Sequence, residues 1–245
     1  MTSKRGRQAA CWVVVSLLMA VAAACSDADS SAAPTTSIPP AEAGAASSTT
    51  LLATPEPTGV PGLDSPDPFC AAWATYAGTV QSLGIAASFG DLSSVELAGL
   101  ELIAAPHVVE VGEAIDSTWP QDGAVAAERA TVIDQRIGPY VRRAQRAVEA
   151  LTAAGVTKDE LSELSALWQL ALSERDPQQP VIDVPGIRPD LQTRLDEAAV
   201  AYDRDVTPFA ADPSLTTDHV AAPTTEQYLA EHCPDLASSG VGDSL

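Results

Sequence analysis

The chain has 245 residues, with 33 Asp and Glu against 13 Lys and Arg, giving a formal net charge of −20 at pH 7. A surface this acidic repels nucleic acid and anionic lipid headgroups, so nucleic acid is excluded as a partner and a basic membrane patch as an attachment. Only three histidines are present, which limits base and metal chemistry.

Lys4, Arg5 and Arg7 make a cationic start, followed by an apolar, uncharged run from Trp12 to Ala24. That pattern is an export signal, and the run is too short for a permanent membrane span. It ends in the small residues of "VAAACSD" before Cys25, which resembles the bacterial lipoprotein box, where signal peptidase II cuts ahead of a cysteine that carries diacylglycerol. Ala22 stands where that family usually has Leu, and Ala22-x-Ala24 also fits ordinary secretory cleavage.

Cysteine parity separates the two readings. Cys11 leaves with residues 1–24, so the mature chain holds Cys25, Cys70 and Cys233. If Cys25 is lipidated, as the resemblance implies, Cys70 and Cys233 remain as one pair, and neither lies in a C-x-x-C arrangement. Loss of the signal removes three basic and no acidic residues, which takes the charge from −20 to −23. Membrane attachment then comes from acyl chains.

Residues 26–64 draw 26 of 39 positions from Ser, Thr, Pro and Ala. This composition has too little large apolar surface to offset ordering entropy, so residues 25–65 are expected to form a disordered tether. From Asp67 the chain reads as helical. Asp67 is an N-cap with Pro68 at the first helical position, and Phe69, Trp73, Tyr76 and Val80 follow at helical spacing. Ser93 and Glu96 form a capping box for a second helix, which Pro106 is expected to break or kink before a further segment from His107 to Ser117. "HVVEV" within that segment also fits a short strand.

A long third helix is expected from Ala124 to Ala154, kinked at Pro139 and stopped at Gly155. Thr157 and Glu160 form another capping box, a fifth helix runs from Pro189 to Phe209, and a short last one from Thr224 ends at Pro234. The expected fold is all-α: a single bundle of five to six helices over residues 66–235, disulfide-linked between its first and last helices, with a flexible tail at 236–245. Between the helices, "DPQQPVIDVPGIRPD" (176–190) has four prolines yet carries Val181, Ile182, Val184 and Ile187, which suits a strap across the bundle or, alternatively, a lid or docking segment.

Nucleophile-elbow, phosphate-loop, dinucleotide and H-E-x-x-H patterns are absent from the sequence, so no residue is assigned as catalytic and no cofactor or metal is expected. His107 and Glu110 could share a helical face and hold a metal, but one pair is weak, and a surface histidine beside a proline is the plainer reading. His219 falls in a loop, and His232 beside Cys233 fits a helix C-terminal cation. Asp196 with Glu197, and Asp203 with Asp205, fit solvated helix faces.

Arg129, Arg136, Arg142, Arg143 and Arg146 crowd the third helix, with Arg129, Arg136 and Arg143 seven residues apart beside its apolar face. That stripe suits either an anionic ligand or partner, or internal pairing with neighbouring acids, and pairing is the plainer reading.

The signal, the Ser/Thr/Pro tether, the Ala-rich composition and the acidic mature chain together resemble exported lipoproteins of high-GC Gram-positive bacteria. The resemblance ends near residue 65 and implies a lipid-anchored protein on the extracytoplasmic face of the cell membrane. The leading functional expectation is a non-catalytic helical module that binds a protein partner or small ligand. The alternatives are an envelope enzyme using scattered carboxylates or His107, and a metal-binding helical domain.

Overall fold

The computed structural model describes residues 59–121, 123–216 and 220–238. Cys25, the export signal, most of the tether, His219 and the end of the tail lie outside them.

All regular structure among the described residues is helical. Helix α1 (Pro68–Phe89) starts where Asp67 accepts hydrogen bonds from the Phe69 and Cys70 amides, which would otherwise lack partners at a helix N-terminus. Helix α2 (Ser94–Thr118) begins at a reciprocal Ser93/Glu96 capping box. It runs unbroken through Pro106, contrary to the expected break, and no strand forms at His107. The reason is tertiary. Helix α2 packs against α1 and three later helices, and Pro106 lies within its buried surface, so packing outweighs one missing amide hydrogen bond.

The expected third helix is present with a different irregularity. Helix α3 (Gly123–Thr131) passes through a π-helical turn (Val132–Ile137) into α4 (Gly138–Ala153), and the Gly138 amide donates to the Ile133 carbonyl in place of the usual residue four back. The extra residue in this turn sits just ahead of Pro139. Gly155, at φ +83°, ends the helix with Val156 donating to Leu151 and Gly155 to Thr152, an arrangement that requires the left-handed conformation. Helix α5 (Lys158–Ser173) opens with the Thr157/Glu160 capping box, and α6 (Pro189–Asp205) follows the strap. Helix α6 stops four residues before Phe209, ahead of Pro208, and Phe209–Ala211 and Pro213–Leu215 form 3-10 turns. Helix α7 (Pro223–His232) and the short α8 (Pro234–Ser238) are the last elements among the described residues.

Helix α2 is central, packing against α1, α4, α5 and α6. It meets α4 tightly at Gly112, where an added Cβ would lie 2.5 Å from Val141 Cγ2. Three apolar clusters surround it. One joins α1, the second half of α2, α3 and α7, and includes Phe69, Trp73, Trp119 and Tyr228 in edge contacts. The second joins α2, α4, α5 and α6, and the third holds Trp168 and Leu172 beneath Ile182 of the strap. Cys70 on α1 and Cys233 at the end of α7 are joined by a disulfide with their Cα atoms 5.5 Å apart, closing 163 residues between the two ends of the bundle.

The packed region is wider than 66–235. Gly59 and Val60 donate to the carbonyls of Arg175 and Leu172 at the end of α5, and Leu236 is buried in the first cluster.

Candidate functional site

The arginine stripe is engaged internally. Arg129 pairs with Asp116 at 2.7 Å, and Arg136 pairs with Glu226 at 2.6 Å while also donating to the Val220 carbonyl. Arg143, only 4% exposed, is the centre of a buried cluster. Its guanidinium meets Glu101 of α2 in two-pronged fashion at 2.7 and 3.0 Å, and its third nitrogen donates to the Asp212 carboxylate and the Thr207 carbonyl. Phe209 covers it at 5.5 Å from the ring centroid. The stripe therefore ties helices and the 207–215 segment together, which is the internal pairing weighed for it.

Burial pushes the Glu101 carboxyl above its usual range, with Arg143 pulling against it. The Tyr202 hydroxyl is close enough to couple to Glu101, and burial with that charge pushes it up to about 12, yet it has no partner in hydrogen-bonding geometry. A cavity of about 20 Å³ lies among Glu101, Arg143, Tyr140, Tyr202 and Phe209, which is the space of a single water.

His107 is buried, not on the surface, because it lies on the central helix. Its Nδ1 lies 3.1 Å from Ser165 Oγ on α5, and that hydroxyl donates to the Glu110 carboxylate at 2.5 Å. The Ser165 proton goes to Glu110, so His107 donates through Nδ1 and leaves Nε2 as a buried atom without a partner. Burial lowers the His107 pKa to about 4, which keeps the ring neutral. This donor chain runs opposite to a hydrolytic triad, where histidine takes the proton from serine. His107 and Glu110 thus meet at a hydroxyl, and no group of three or more His, Cys, Asp or Glu among the described residues is placed to hold a metal.

Two further ionic arrangements are structural. Glu160 of α5 receives Arg194 of α6 at 2.6 Å and Arg188 at 3.1 Å, and the Arg194 hydrogen bond, joined by the Thr157 amide, holds its carboxyl far below the ordinary range. Glu128 on α3 accepts from the Thr224 and Thr225 amides and the Thr225 hydroxyl, capping α7 from another helix. Burial raises the Glu128 carboxyl, but these donors outweigh it and hold it low.

The feature that departs from this pattern of paired charge lies under the strap. Residues 176–188 cross the ends of α1 and α5, with Ile182 buried and Val181 and Val184 packed on the third cluster. Between the strap and the end of α5 is a cavity of about 210 Å³. Arg175 lines it, partly buried, with its guanidinium held by Ser82 Oγ at 3.2 Å. Ser82 itself donates to the Gly78 carbonyl at 2.6 Å, so it has only a lone pair to offer Arg175. Among the described residues Arg175 makes no ion pair, and neither do Glu174 and Asp183, which line the same cavity. Burial pulls the Arg175 pKa down, against the pull of Asp176. Sequence reasoning found the strap but not Arg175, whose anchor Ser82 is 93 residues away.

No family model matches the chain, and no curated protein and no solved structure matches it at a significant level.

Proposed function

We propose that this chain is a non-catalytic, lipid-anchored helical module that binds a small ligand at the extracytoplasmic face of the cell membrane. The observation that carries the binding reading is the strap cavity: about 210 Å³ of space, lined by unpaired charge of both signs in a protein that otherwise pairs its partly buried arginines. An engineered apolar cavity of about 150 Å³ already takes a benzene-sized guest, so the space suits a small organic molecule. The direction of proton donation in the His107–Ser165–Glu110 chain favours a binding role over a catalytic one.

The address rests on the cysteines. A Cys70–Cys233 disulfide forms and persists in an oxidising compartment, and with that pair closed Cys25 is the odd cysteine of a chain cleaved after Ala24. Its position at the end of the apolar run supports acylation. The test is intact mass and membrane fractionation of the protein expressed with its own signal, beside Cys25→Ala. Acyl mass and sedimentation in the wild type alone are expected, whereas release of both proteins without lipid removes the anchor.

A further inference from the structure

From the unpaired charges under the strap, we infer that this cavity takes a zwitterionic ligand with excess positive charge, of the diamino monocarboxylic acid class. The inference rests on the binding reading and adds the chemistry of the ligand.

The Arg175 guanidinium has one nitrogen fixed on Ser82, which is 1% exposed, so its position is set by the core side of α1. Its other N–H groups lack a carboxylate among the described residues, and a planar fork of donors matches a carboxylate in two-pronged geometry. One guanidinium alone would specify a simple anion. Glu174, Asp176 and Asp183 also line the cavity, and all three are exposed where Arg175 is partly buried, so they form the outer side. Asp176 is occupied by the Gln178 amide and the Gln179 side chain, which leaves Glu174 and Asp183 as free acceptors.

A bare anion would gain Arg175 and be repelled by these carboxylates. A bare cation would gain the carboxylates and leave Arg175 partly desolvated without a partner, which is a costly state for a charge. A molecule with one carboxylate and two ammonium groups satisfies both sides, with its methylene chain against Val181 and Ile182 of the strap. The strap suits this role because Pro177, Pro180 and Pro185 stiffen it without a neighbouring strand.

The experiment uses the full chain expressed with its own signal and purified in detergent. L-lysine is compared with pentane-1,5-diamine, which lacks the carboxylate, and with hexanoate, which lacks both ammonium groups. Calorimetry reads affinity, and hydrogen–deuterium exchange reads whether residues 174–185 become protected. L-lysine is expected to protect that segment and to bind at least ten-fold tighter than either truncated probe. Arg175→Gln should weaken L-lysine by about ten- to a hundred-fold, the worth of a charged hydrogen-bond pair, and bring it to the level of the diamine. Asp183→Asn, an exposed change that leaves the fold undisturbed, should weaken L-lysine and leave hexanoate unweakened.

Equal binding of L-lysine and the diamine, or of L-lysine and hexanoate, overturns the zwitterion assignment while the binding reading stands. Absence of protection by all three probes at millimolar concentration overturns both.

Discussion

Replacing Arg143 with Met tests whether the buried cluster holds the bundle closed. Arg143 and Glu101 are 4% and 6% exposed, and their two hydrogen bonds measure 2.7 and 3.0 Å. Methionine fills much of the space but leaves Glu101 buried without a counter-charge and strips donors from Asp212 and the Thr207 carbonyl. Removing one member of such a pair costs about 3–5 kcal/mol, mostly from the stranded charge. The loss should depend on pH with a definite sign. Glu101 already sits above its unfolded pKa, so the native state holds its proton more tightly and stability falls as pH rises through the window above about 4.5. Without Arg143 the main opposition to burial is gone and the window widens, so the variant should lose more at pH 7.5 than at pH 5. Denaturant unfolding of both proteins at the two pH values measures this, and Glu101→Gln combined with Arg143→Met should recover part of the loss. A deficit below about 1 kcal/mol at pH 7.5, or one equal at both pH values, refutes the reasoning.

His107 gives a slope of opposite sign. Its folded pKa of about 4 lies below the unfolded value near 6.5, so the unfolded chain binds the extra proton and stability is lost as pH falls from 6.5 to 4, by about 3 kcal/mol in full. His107→Gln should flatten that part of the stability profile, and an unchanged slope in this variant would assign the titration elsewhere. At the other end of the bundle, Glu128→Ala removes the acceptor for the Thr224 and Thr225 amides and should cost about 1 kcal/mol, read as faster amide exchange confined to the first turn of α7.

The fold was legible where local chemistry governs it. Asp67 with Pro68, Ser93 with Glu96, Thr157 with Glu160, and Gly155 mark helix ends because each supplies or frees a backbone group within three residues of itself. Pro106 and His107 were misread for one shared reason. Both lie on α2, whose burial depends on helices up to 100 residues away, so a proline that would end an isolated helix is retained and a histidine that would face water is enclosed. Near Pro139 the sequence predicts a kink, whereas the irregularity found is a π-helical turn at Val132–Ile137, ahead of that proline. Which carbonyl the Gly138 amide reaches depends on how Val132 and Ile137 enter the core.

The candidate site divides along the same line. Seven-residue spacing brought out Arg129, Arg136 and Arg143, but spacing on one helix does not reveal the partners. Glu101 and Asp116 come from α2, Glu226 from α7 and Asp212 from the 207–215 segment, and together they neutralise the stripe. Arg175 carried no periodic signal, being a single arginine between Glu174 and Asp176, as an ordinary exposed helix end would read. Its meaning comes from two placements that sequence cannot supply: Ser82 holding one nitrogen, and a strap whose Val181 and Ile182 are drawn onto the core so that Asp183 is carried over the cavity. The apolar residues of the strap were visible as needing cover. That need brings the segment down onto α5, and the free charges gathered beneath it follow from where the strap must lie.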